Sequence, residues 1–195
     1  NKQRTGTLPD ATLSADNDPL AAARSTAGRC NIDAGHLALQ QLSGVQVPGK
    51  LVRQRAQLQD AMLDSHFLIG SSHFVVTGEP DMCIGICELL QSVGGTVDAV
   101  VATNYNPVLE KIEAANVFVG DLEDAVEHFK TADLVISNFH AERLLHMQEK
   151  HTALILRGFP NYEELGNQLK NDVLYEGGAY FLCEAANVAE KWRAK

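Results

Sequence analysis

Long hydrophobic runs are missing from this sequence. No apolar stretch reaches about 18 residues, so no membrane-spanning helix is expected. Positive charge is scarce as well. Lys and Arg number 16 against 25 Asp and Glu, for a formal net charge of −9, which argues against a nucleic-acid partner. Cysteine is limited to Cys30, Cys83, Cys87 and Cys183, with no CxxC among them. That excludes a dense disulfide framework and makes a reduced, cytoplasmic protein the simplest expectation. The opening stretch "NKQRTGTLPDATLSADNDP" has no apolar segment of the kind a signal peptide needs. The chain starts at Asn1 rather than Met and reads as a piece of something longer. No G-x-G-x-x-G, P-loop, HExxH or G-x-S-x-G motif occurs.

What is present suits a globular domain. Of the 195 residues, 45% are hydrophobic and 21% charged. Residues 1–33, rich in Ala, Asp, Asn, Ser and Thr, are expected to form a flexible lead-in. Residues 34–69 read as a helical segment packed on the core: a short helix stopped by Gly44, then a long one from Lys50 to about Leu68. From residue 70 to 195 apolar strands alternate with helices. The strands are "HFVVTG", "TVDAVVAT", "NVFVGD", "DLVISN" and "TALILRGF". The helices are "PDMCIGICELLQSVGG", "NPVLEKIEAA", "LEDAVEHFKTA", "HAERLLHMQEKH" and a closing "EGGAYFLCEAANVAEKWRAK". This alternation predicts an α/β, Rossmann-like open parallel sheet with helices on both faces, preceded by a long helix.

Ligands of such sheets sit at the carboxyl ends of the strands. The residues there that could form a cleft are Glu79, Asn138, His140 and Arg157. The first βα turn, "TGEPDMCIG", places Glu79 and Asp81 where a pyrophosphate would need bare N–H groups, so dinucleotide binding is disfavoured. Cys83, Cys87 and Leu90 fall at i, i+4 and i+7, a stripe that packs against a sheet rather than holding a cluster. His140 reads as a surface residue at a helix start. Ser71-Ser72-His73 reads as the lead into a strand rather than a nucleophile and its base.

The helix "RQRAQLQDAMLDSHF", residues 53–67, poses a harder question. Leu51, Leu58 and Met62 form one apolar stripe; Val52, Ala56, Leu63 and Phe67 form another. Both are assigned to packing. Asp60 and Asp64 share a third, polar stripe with Arg53 and Gln57. Like charges four residues apart repel by roughly 0.2–0.5 kcal/mol, and carboxylates near a helix C-terminus oppose its dipole. These two aspartates are therefore expected on an exposed or intersubunit face.

This stretch resembles the β-type subunits of the nitrogenase component 1 family. "GEPD", "VGDLED", "LRGFPNYEELG" and "YEGGAYFLCEAANV" agree in order, and the likeness runs over about residues 34–195. Within the family, the assembly scaffold that matures the iron–molybdenum cofactor is the nearest pattern. The resemblance implies a structural and subunit-interface role, without enzymatic activity of the chain alone. It implies a heterotetramer in which an E-type, α-like scaffold subunit and a second β-type subunit are the partners. An iron–sulfur or iron–molybdenum cluster precursor would belong to the full complex, with no cofactor held by this stretch. It also implies that Asp60 and Asp64 help hold a divalent metal between two β-type subunits. "LRGFP" is one residue shorter than the family's R-x-GFP spacing, which leaves the position of Arg157 open. Two other functions fit the residues: the β subunit of a catalytic nitrogenase or related reductase, and a free-standing small-molecule-binding Rossmann-like domain.

Overall fold

Runs of aliphatic residues, each broken by Gly, Pro or Asn, set down five short strands joined by helices. The computed structural model describes residues 29–148, 151–162 and 164–194. Two helices come first, α1 (Arg29–Ser43) and α2 (Gly49–Ile69). The alternating part follows as β1 (His73–Gly78), α3 (Pro80–Ser92), β2 (Thr96–Ala102), β3 (Asn116–Val119), α4 (Leu122–Phe129), β4 (Leu134–Ser137), α5 (His140–His146), β5 (Ala153–Leu156) and α6 (Leu174–Arg193). All neighbouring strands pair in parallel, in the order β3-β2-β1-β4-β5. The order reverses between β1 and β4, so the crevice typical of an open α/β sheet lies beyond Gly78 and Ser137.

Side chains alternate across the sheet and build two cores. Phe74, Val76, Val100, Leu134, Ile136 and Ile155 face the larger one, under α2, α3 and α6. Val75, Ala99, Val101 and Val135 face the smaller one, under α4 and α5. The β1–β2 register slips between Phe74 and Val75, so Asp98 is the extra residue of a bulge. Its carboxylate lies 3.0 Å from His73 Nδ1.

Three expectations need correction. The lead-in ends earlier than residue 33: residues 29–33 already belong to α1. The remainder of the expected lead-in, residues 1–28, lies outside the described residues. Asp33 ties α1 to the body, accepting from Arg55 Nε at 2.9 Å and from the Tyr175 hydroxyl. Second, "NPVLEKIEAA" forms only a 3-10 turn, Pro107–Lys111, capped by Asn106 accepting from Val108 N at 3.0 Å. Its two fully buried apolar anchors, Leu109 and Ile112, stand three residues apart, a spacing that one 3-10 turn serves. Third, the second apolar stripe of α2 is not packed. Val52, Leu63 and Phe67 are 56%, 69% and 77% exposed, and Ala56 is exposed too. The buried face of α2 is instead Leu58, Ala61, Ser65 and Ile69.

The long helices α2 and α6 lean on each other. Arg193, at the end of α6, donates to Leu68 O at 3.0 Å, Ser71 Oγ at 2.7 Å and Ser72 Oγ at 2.9 Å. A cation there also satisfies the negative end of the α2 dipole. Near the start of α6, Gly177 must be glycine for want of room. A Cβ would lie 2.5 Å from the carbonyl carbon of Asp172. Among the described residues no helix is long and apolar enough to cross a membrane.

Candidate functional site

Two surfaces gather the residues singled out from the sequence. The first is the carboxyl edge of the sheet. Thr77 and Ser137, at the ends of β1 and β4, are buried and share a hydrogen bond of 2.5 Å between their hydroxyls. Beside them opens a cavity of about 320 Å³, lined by Gly78, Thr103, Gly120, Asp121 and Asn138 among others. Asp121 is already engaged. Its carboxylate accepts from Glu123 N at 2.8 Å and Asp124 N at 3.1 Å, closing a capping box on α4.

The four strand-end candidates do not converge. Glu79 is exposed at the N-cap position of α3 and makes no side-chain cap. Asn138 is used for structure: its Oδ1 accepts from His140 N at 3.0 Å and its Nδ2 donates to Phe159 O at 3.3 Å. His140 is exposed at the first position of α5. Arg157 is not in the β1–β4 crevice. It is 2% exposed, with Nε 2.9 Å from Asp172 Oδ1, a terminal nitrogen donating to Glu184, and its guanidinium 5.2 Å from the Phe181 ring centroid. The Nε–Asp172 approach is an ion pair without hydrogen-bond alignment. Lys170 extends the network, donating to Glu164 at 2.7 Å and Glu184 at 3.3 Å. These charges come from positions 157 to 184, too scattered for any sequence motif to have grouped them.

Cys83 and Cys87 do not fit a cluster. Cys83 and Cys87 face the larger core. Burial, with the nearby Glu79 carboxylate second, pushes the Cys83 thiol up to about 12, and burial raises Cys87 well above the usual thiol range. Thiolate is the form that binds metal, and these sites disfavour it. Cys183 is exposed on α6, and among the described residues no three His, Cys, Asp or Glu side chains are grouped to hold a metal ion.

The second surface is the outward face of α2. Asp60 and Asp64 are both exposed, one turn apart. Next to them Leu63 and His66 form the rim of an open groove of about 550 Å³, closed on its far side by Ser92, Val93 and Gly94 at the end of α3. Large apolar side chains and two carboxylates thus share one face with no covering element among the described residues. Two carboxylates cannot fill the shell of a hard cation, which takes six or more oxygens. Any metal held here requires ligands from outside the described residues.

An open parallel sheet of this order, with no phosphate-gripping loop and an apolar helix face left uncovered among the described residues, defines a Rossmann-like α/β domain. The family model for nitrogenase component 1 type oxidoreductases matches residues 21–190, and the chain belongs to that family. Among curated relatives, the nitrogenase iron-molybdenum cofactor biosynthesis protein NifN of Sinorhizobium fredii is 34% identical over 177 residues, covering 88% of this chain and 36% of its own length. The protein of the same name from Nostoc is 38% identical over 162 residues, covering 81% of this chain and 36% of its own. The chain thus spans about a third of the length of the curated relatives it matches. A solved structure of nitrogenase Cp1 at pH 6.5 superposes with a TM-score of 0.77 at 25% identity, over 85% of this chain and 39% of that one.

Proposed function

We propose that the chain is an interaction domain of a scaffold subunit for iron–molybdenum cofactor biosynthesis, of the NifN kind, with no redox chemistry of its own. The observation that carries this is the outward face of α2. Leu63 and Phe67 are 69% and 77% exposed on a helix whose opposite face is buried, and a sustained apolar stripe of this kind marks an interaction surface. The matches to relatives named for cofactor biosynthesis, at 34% and 38% identity, support the scaffold over a catalytic subunit. In this reading the partners are an E-type, α-like subunit and a second β-type subunit, in the cytoplasm. A cluster precursor is cargo of the assembled complex. Asp60 and Asp64 supply two oxygens to a divalent cation whose remaining ligands come from the second β-type subunit. Glu79 and His140 stay free for a ligand at the carboxyl edge, whereas Asn138 and Arg157 serve the fold.

A chimera tests this. Residues 21–190 replace the matching third of the Sinorhizobium fredii relative, which is co-expressed with its native partner. The expected result is a complex that still supports maturation of the cofactor. A complex that assembles but supports none contradicts the scaffold reading. The catalytic β-subunit alternative predicts instead that the same segment, placed in a nitrogenase β subunit, sustains substrate reduction.

A further inference from the structure

We propose that the cavity between α3 and α6 is a binding site for a small neutral carboxamide, with Arg157 Nε as the donor to its carbonyl oxygen. The cavity shares no residue with the α2 groove, and the proposal does not depend on the function proposed above.

The cavity opens where side chains are missing from two facing helices. Asp81, Met82, Gly85 and Ile86 wall it from one face of α3, at i, i+1, i+4 and i+5. Gly177, Gly178 and Phe181 wall it from α6, at i, i+1 and i+4. Gly85, Gly177 and Gly178 are all buried, and three buried glycines leave a gap of about 190 Å³ beside a packed core. The Asp172 backbone, which leaves no room for a methyl at Gly177, closes one end of it. Protein interiors seldom leave such space unfilled. A dry cavity of about 150 Å³ is already enough to take up benzene.

The wall holds a buried donor without an acceptor. Arg157 is 2% exposed, and its terminal nitrogens are committed to the fold, donating to Leu156 O at 2.7 Å and to Glu184. Asp172 Oδ1 lies 2.9 Å from Nε but off the direction of its N–H, and no atom of the described residues receives that hydrogen. Buried polar groups of native proteins are paired with few exceptions. This one calls for an acceptor that the described residues do not supply.

The surrounding charges choose among acceptors. The positive charge of Arg157 is already met by Asp172 and Glu184. A carboxylate or phosphate ligand would add negative charge to a wall that carries Asp81 and Asp172 against one guanidinium. A cation would have to sit beside that buried guanidinium. A neutral group avoids both penalties. A primary carboxamide joins an acceptor for the Nε–H to donors for the Asp81 or Asp172 carboxylate in one planar group. The rest of such a molecule meets the apolar side chains of Ile86 and Phe181.

Three probes of nearly equal shape test this. Benzamide offers an acceptor and donors, acetophenone an acceptor alone, and α-methylstyrene neither. Each is titrated into the isotope-labelled chain and followed by backbone amide shifts and by the Arg157 Nε–H resonance. Benzamide is expected to bind saturably, with shifts centred on residues 81–86 and 177–181 and a downfield move of the Nε–H signal. Acetophenone should bind about tenfold more weakly and still move that signal. α-Methylstyrene should bind about tenfold more weakly again and leave it in place. Equal affinity for all three overturns the proposal, because the cavity is then apolar space only. An Nε–H resonance unmoved at saturating benzamide overturns it too. Absence of benzamide binding, or shifts confined to other residues, means that the cavity holds water only and likewise overturns it. Benzoate or benzamidine binding more tightly than benzamide overturns the choice of a neutral ligand.

Discussion

The two faces of α2 carry similar apolar side chains and meet opposite fates. Leu58 and Ile69 are wholly buried against α6 and the sheet, while Leu63 and Phe67, on the same helix, stand largely in solvent. Size and hydrophobicity do not separate them. Position does: the buried face points at a core that the 3-2-1-4-5 sheet and α6 complete, and the outward face has nothing to meet within the described residues. A helix apolar on both sides has two faces to cover, of which the described residues cover one.

Substitutions on the two faces should separate them sharply. Leu58→Ala deletes a fully buried side chain, and its expected cost is roughly 2–5 kcal/mol in chemical denaturation. Breaking the buried charge network under α6 is next. Arg157→Ala removes the buried cation between the part-exposed Asp172 and Glu184 carboxylates, the second of which keeps Lys170, and should cost about 1.5–3 kcal/mol. Gly177→Ala forces a methyl into the Asp172 backbone and should cost about 1–3 kcal/mol, read from the same denaturation curves. Asp33→Ala removes the tie from α1 to Arg55 and Tyr175. That pair is partly exposed, so about 1 kcal/mol is expected. On the outward face, Leu63→Ser should stay within about 0.5 kcal/mol of the native chain. Asp60→Asn with Asp64→Asn should raise stability by about 0.2–0.5 kcal/mol, because the one-turn repulsion disappears.

The buried thiols add a pH dependence to the inner side of the comparison. The folded-state value of Cys83 is raised to about 12 from an ordinary 9.0, chiefly by burial. A raised folded value means its contribution to stability is complete below pH 9.0 and is lost as the pH climbs toward 12. Melting temperature should therefore fall across that alkaline window, and the fall should shrink in Cys83→Ala with Cys87→Ala. At pH 8, peptide mapping after alkylation should find Cys183 modified and Cys83 and Cys87 intact.

The sequence shows the strand order in the chain, the parallel sheet and the packing of Cys83 and Cys87 plainly, because each depends on residues close together in sequence. The periods of two and of 3.6 are local signals. The same periodicity marks both apolar stripes of α2 and cannot say which one a neighbour covers. Burial of one and exposure of the other depends on α6, more than a hundred positions away. The 3-10 turn at Pro107–Lys111 is hidden for a related reason: its Ala-rich continuation has good helical propensity, yet only Leu109 and Ile112 are fully buried. In the sequence Arg157 reads as a cleft residue because it ends a strand. Its partners, Asp172 and Glu184, approach only after the chain has looped back into α6.

The most direct test of the central claim, that the outward face of α2 is an interface and not a piece of core, is a paired measurement on Leu63→Glu with Phe67→Glu. Melting temperature is recorded on the chain itself, and complex formation by mass photometry on the chimera co-expressed with its partner. The expected result is an unchanged melting temperature together with loss of the assembled complex. A melting temperature lowered by many degrees, or a complex that assembles as well as before, would contradict the claim.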